Sequence, residues 1–202
     1  SSYAPQTAEA LIETIPISGN LDHFWKDMLE LEENGEIIKT RFGTYGLPEK
    51  MGLVVGRFQL TSKGFGFVIP DNKGERPDVF IPPRALGGAM NNDRVMARVE
   101  SSSGGNKPEG EIIRIITHAN NKIVGIFHQS GDFGFVTPDD KRIGQDIYIM
   151  KRHFGGAKTN QKVVAEITEW PVERRNAEGK IIEILGNVGD VGLEILSIIK
   201  QN

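Results

Sequence analysis

A chain of 202 residues with 38% hydrophobic content can hold two or three small packed domains, and the lack of any cysteine excludes disulfide staples, thiolate zinc sites and a cysteine nucleophile. No run approaches the roughly 18 uncharged apolar residues of a membrane span, and Ser1-Ser2-Tyr3-Ala4-Pro5 lacks a basic-then-apolar targeting pattern, so a cytoplasmic chain with no membrane partner is expected. The net charge of −3 is uneven: residues 1–50 carry 4 Lys and Arg against 9 Asp and Glu (−5), residues 51–119 carry 9 against 7 (+2), residues 120–186 carry 10 against 9 (+1) and residues 187–202 carry 1 against 2 (−1), a balance that permits a nucleic-acid ligand without arguing for one.

Along the first fifty residues, Leu21, Phe24, Trp25, Met28 and Leu29 recur at helical spacing, with Asn20 as a cap and Gly35 as a stop. Glu36 to Arg41, then Gly43-Thr44, then Tyr45 to Pro48 reads as a small hairpin. A helix followed by a hairpin resembles the second half of a winged helix-turn-helix. Asp22, Asp27, Glu30, Glu32 and Glu33 against a single Lys26 make this helix a poor surface for a DNA groove, so helix docking or protein contact is favoured over base readout.

From residue 51 onward the chain repeats itself. Val55-Gly56-Arg57-Phe58 returns as Val124-Gly125-Ile126-Phe127, Phe65-Gly66-Phe67-Val68-Ile69-Pro70-Asp71 as Phe133-Gly134-Phe135-Val136-Thr137-Pro138-Asp139, and Asp78-Val79-Phe80-Ile81 as Asp146-Ile147-Tyr148-Ile149, an offset of 68 or 69. Each unit shows five β-type runs: Leu53 to Gln59, Gly64 to Pro70, Asp78 to Ile81, Arg94 to Val99 and Glu109 to Ile116, then Lys122 to His128, Phe133 to Thr137, Asp146 to Ile149, Lys162 to Glu169 and Gly179 to Leu185. Five strands in some 65 residues, with the longer connection between the third and fourth, predict a mainly β chain of two tandem five-stranded Greek-key barrels of the OB-fold kind. The expected organisation is a winged-helix-like α+β segment over 1–50, barrels over 51–119 and 120–186, and a linker over 187–202.

Side chains alternate across a strand, so Phe65 and Phe67 share a face opposite Gly64, Gly66 and Val68. That face is either core or solvent. Glycines between the aromatics suit rings standing outside a coiled strand, with Phe80 beside them, and such rings stack unpaired bases at about 1 to 3 kcal/mol each. Arg57, Lys63 and Lys73 flank the rings as phosphate partners, and Phe133, Phe135 and Tyr148 are the second unit's counterparts. His23, His118, His128 and His153 lack metal-ligand spacing and read as surface or half-buried residues. Asp139 and Asp146 repeat Asp71 and Asp78 and so read as scaffold positions rather than a metal cluster. No nucleotide loop or catalytic triad order is present, and no catalytic or metal residue is assigned.

Lys63-Gly64-Phe65-Gly66-Phe67-Val68 followed by Asp78-Val79-Phe80-Ile81 resembles the paired ribonucleoprotein motifs of cold-shock domains. The second unit lacks the leading Lys-Gly, and Pro82 and Met150 stand where such domains usually carry a histidine. Together with Glu33-Asn34-Gly35-Glu36-Ile37, Tyr45-Gly46-Leu47-Pro48 and Gly179-Lys180-Ile181-Ile182-Glu183-Ile184-Leu185-Gly186, the order of parts resembles the amino-terminal region of ribonuclease R-type members of the ribonuclease II/RNB exoribonuclease family. The resemblance implies a fragment, inactive alone, of an enzyme that degrades RNA processively from its 3′ end with Mg²⁺ and releases nucleoside monophosphates. Its partners would be single-stranded RNA and a catalytic nuclease domain of the same protein. The competing expectation is a regulatory or protein-interaction fragment with structural barrels.

Overall fold

The computed structural model describes residues 3–15, 20–72, 74, 76–100, 108–172 and 175–201. The first part holds α1 (Ala8–Thr14), α2 (Leu21–Glu33) and a two-residue-per-strand hairpin of β1 (Ile38–Lys39) and β2 (Tyr45–Gly46). The Asn20 side chain accepts from the Asp22 N–H at 3.2 Å and so caps α2. Gly35 follows the helix at φ +72, and a Cβ there would meet the Ile116 side chain at 2.5 Å, so the stop residue is also the contact point with the first barrel. Ala8, Phe24 and Met28 pack with Leu11, Ile12, Ile37 and Tyr45. The predicted helix and hairpin are therefore present, and α1 is an addition. Its seven residues bury only Ala8, which leaves too short and weak an apolar pattern to read.

The first barrel comprises β3 (Leu53–Leu60), β4 (Gly66–Pro70), β5 (Val79–Ile81), β6 (Arg94–Glu100) and β7 (Glu109–Thr117), closed in the order β3-β4-β5-β7-β6. The second comprises β8 (Lys122–Ser130), β9 (Phe133–Pro138), β10 (Ile147–Met150), β11 (Gln161–Glu169) and β12 (Glu178–Asn187), closed as β10-β12-β11-β8-β9. In each, the third and fifth strands pair in parallel and the other pairings are antiparallel. Closure leaves no free sheet edge, which is how five short strands become a stable unit. The fold is mainly β, two OB-type barrels behind a small α+β segment, as the repeat predicts.

Phe58 and Phe127 are fully buried at equivalent places in the two cores, each worth about 2 to 3 kcal/mol of burial. They explain the glycines between the outer aromatics. A Cβ on Gly66 would lie 2.3 Å from the Phe58 ring and one on Gly134 2.4 Å from the Phe127 ring, so glycine is required to admit an inner ring. These glycines are therefore required by the inner ring rather than by the outer ones, while Phe65 and Phe67 still lie on the outer side of the strand. Gly64 also lies outside the strand, in the turn before β4. Residues 193–201, expected within a linker, form α3 (Leu193–Gln201), which buries Leu193 and Ser197 one turn apart and leaves Ile195, Leu196, Ile198 and Ile199 exposed. Among the described residues no helix is long and apolar enough to cross a membrane.

Candidate nucleic-acid interface

Strand register builds one row of side chains on the outside of each barrel. In the first, Gln59 on β3 stands opposite Phe67 on β4, Phe67 opposite Phe80 on β5, and Phe80 beside Glu109 on β7. Phe65 joins from the turn. Its carbonyl accepts from both the N–H and the hydroxyl of Thr61, at 2.8 and 2.7 Å, which fixes the backbone that carries the ring. The three rings contact one another: Phe65 and Phe67 lie 5.9 Å apart at 86°, Phe65 and Phe80 5.6 Å at 47°, and Phe67 and Phe80 5.8 Å at 61°. All three are half-buried and in contact with one another rather than sealed in the core.

The basic residues expected around these rings divide three ways. Arg57 is exposed on the outward face of β3, two positions before Gln59 and opposite Ile69, with no ion pair among the described residues. Lys63 is exposed in the turn between β3 and β4, on a groove of about 540 Å³ that it shares with Lys141, Gln145 and Asp146 of the second unit. Lys73 lies outside the described residues. Arg84 is engaged at 2.9 Å by Glu109, the β7 neighbour of Phe80.

The second barrel repeats the row with different chemistry. His128 stands opposite Phe135, Phe135 opposite Tyr148, and Tyr148 beside Glu178. His128 stacks on Phe135 at 5.2 Å and 29°, and Phe133 stacks on Tyr148 at 5.7 Å and 23°. Phe133 is 41% and Tyr148 36% exposed, so this face is more open than the first. Lys151 donates to Asp132 at 2.5 Å beside Phe133, and that hydrogen bond, reinforced by the ammonium charge, holds the Asp132 carboxyl below its ordinary value. A cleft of about 430 Å³ lies against Phe135 and Tyr148 and is completed by Asp146, Arg175, Asn176 and Glu178. Asp146 borders both this cleft and the groove holding Lys63, so the second aromatic face adjoins the groove that carries Lys63.

His128, half-buried as its lack of metal-ligand spacing suggests, also has a place in this row that its own sequence neighbourhood does not announce. Its signal was the repeat itself, since it follows the buried Phe127 just as Gln59 follows Phe58. His118 also has a defined place, against Asp93 at 3.0 Å and Trp170. The repeated aspartates act as scaffold: Asp71 pairs with Arg94 at 2.8 Å and Asp139 with Lys162 at 2.7 Å. Among the described residues no three His, Asp or Glu side chains gather as a metal site.

Comparison with known proteins agrees with this architecture. Residues 56–115 match the Ribonuclease B OB domain and residues 135–202 the Cold shock domain. Ribonuclease R of Thermotoga maritima is 35% identical over 86% of this chain, and that of Vibrio parahaemolyticus 31% identical over 94%. The chain spans only 24% and 23% of those two relatives. Among solved structures, Mycoplasma genitalium RNase R in complex with ribose methylated single-stranded RNA superposes with a TM-score of 0.65 at 20% identity, over 72% of this chain and 23% of that one. Yeast Ssd1, a pseudonuclease, superposes with a TM-score of 0.63 at 16% identity, over 100% of this chain and 27% of that one. The chain thus carries the Ribonuclease B OB and Cold shock domains and corresponds to the paired-barrel region that lies toward the amino terminus of ribonuclease R proteins.

Proposed function

We propose that this chain is the single-stranded RNA-binding part of a longer ribonuclease R-like exoribonuclease of the cytoplasm, capturing 3′ tails and guiding them to a catalytic domain outside these residues. The observation that carries the reading is the pair of outward aromatic rows at equivalent places in the two barrels. Exposed rings stack bases with little sequence preference, and the exposed cations Arg57 and Lys63 would meet the connecting phosphates. The RNA bound by the matched Mycoplasma enzyme supports the same class of ligand here.

The Mg²⁺-assisted hydrolysis that the family implies would belong to the catalytic domain of the longer protein. Measuring affinity for oligouridine after Phe65→Ala plus Phe67→Ala tests the platform. A loss of about 1 to 3 kcal/mol per unstacked base is expected. A change under about 0.5 kcal/mol, with the thermal melt preserved, rejects it.

One observation favours a second reading, a protein-docking role for the head of the chain. Leu21, Trp25 and Leu29 form an exposed stripe along α2, bordered by Asp22, Asp27, Glu30 and Glu33. Absence of oligonucleotide binding, together with a saturable protein complex that Trp25→Ala abolishes, would favour it.

A further inference from the structure

The row at Tyr148 differs from the row at Phe80 in how its acidic residue is compensated. Of the basic and amide side chains of the cleft beside Tyr148, Arg175 is paired with Glu169 at 2.8 Å and Asn176 donates to the Asp146 carbonyl at 3.2 Å. The carboxylates of Asp146 and Glu178 take no ion pair or side-chain hydrogen bond among the described residues. In the first barrel Glu109, the counterpart of Glu178, is neutralised by Arg84. The residue that matches Arg84 at the 68-residue offset is Arg152, and it turns to His153 at 3.3 Å instead.

The cleft therefore sets the Phe135 and Tyr148 rings beside two carboxylates without a side-chain partner among the described residues, and its volume falls within the range of small-molecule sites. A phosphate, which offers only acceptors, is repelled from such an edge. Uracil flanks its single N–H with two carbonyls. Adenine and cytosine set one amino donor beside a ring-nitrogen acceptor. Guanine alone places a ring N–H and an amino group side by side, matching the two oxygens of a carboxylate.

Resting on the RNA-binding reading above, we infer that the Phe135–Tyr148 cleft selects guanine within a bound strand, the rings stacking the base and Asp146 and Glu178 accepting from its N1 and N2 donors. The second barrel thus reads a base while the first grips any.

The test compares oligouridine, the same oligomer with one internal guanosine, and the same oligomer with inosine there, which lacks the N2 amine. Fluorescence anisotropy on the full chain is the readout. Guanosine should tighten binding about fivefold or more, toward the lower end for a bidentate base contact, and inosine should lose most of that gain. In the Asp146→Asn plus Glu178→Gln variant the guanosine-to-uridine ratio should fall to about one, whatever the change in overall affinity, since removing negative charge raises binding of both oligomers alike. A ratio of about one in the unmodified chain, or a ratio the variant leaves intact, overturns base selection while RNA binding stands. Failure to bind any of the oligomers overturns both readings together.

Discussion

The imidazole of His118 lies flat on the indole of Trp170, with ring centroids 3.5 Å apart and planes within 4°. His118 follows the last strand of the first barrel, and Trp170 begins the loop before the last strand of the second, so the stack spans the junction of the two units. It is anchored from behind. Asp93, fully buried, accepts from His118 at 3.0 Å and from the backbone N–H groups of Met90 and Ala119 at 2.9 Å each. Asn120 adds a bond to the Asn91 carbonyl, and the Asn91 side chain accepts from the Leu60 N–H at 3.0 Å. The angle between the aromatic faces is thereby held by specific contacts rather than left to a flexible connection.

Trp170→Ala removes the stack and part of the packing on the second core, at a cost of about 2 kcal/mol, below the 3 to 5 typical of a fully buried tryptophan because this one is partly exposed. Calorimetry should show the single unfolding transition broaden or split as the barrels lose their coupling. An unchanged transition would remove the stack from this role.

Gly66→Ala forces a methyl group into the space of the Phe58 ring and within 2.6 Å of the Gln59 carbonyl. A destabilisation of about 1 to 3 kcal/mol is expected from overpacking. Pairing it with Phe58→Leu should recover part of the loss in urea unfolding. Strict additivity of the two changes would show that they do not share one cavity.

The two repeated ion pairs should behave unequally. Lys162 is buried, so Asp139→Asn strands a buried cation and should cost about 3 kcal/mol. Asp71 and Arg94 keep 41% and 37% of their side-chain surface exposed, and Asp71→Asn should cost under about 1 kcal/mol. Equal shifts in the urea midpoint would contradict this ranking.

Arg57→Ala and Lys63→Ala should each flatten the log-log salt dependence of oligouridine binding by about 0.7 if each side chain neutralises one phosphate. Titrations at several salt concentrations decide the matter, and slopes identical to the unmodified chain would take both residues off the strand's path.

The barrels were legible because inward positions such as Val54, Phe58 and Val68 alternate with polar or aromatic outward ones, and because the duplication repeats each strand with its turns. Strand limits differ by two residues at most, as with β4, which starts at Gly66 because Phe65 already belongs to the turn. The aromatic positions could be placed on one face by alternation alone. What escaped was set by contacts distant in sequence. His128 acquires its partner only when β8 pairs with β9, and Arg84 and Arg152 occupy matching positions yet choose different partners. The seven residues of α1 depend on Phe24 and Met28 from the next helix to cover their one buried side chain.

Met90 belongs by sequence to the first repeat, yet its side chain is fully buried among Ile123, Phe127 and Phe154 of the second core. One module has lent a peg to the other's socket. Severing the chain between the repeats would leave a hole in one half and a greasy protrusion on the other, so each half made alone should aggregate or melt early, and mixing the two should restore what neither keeps by itself.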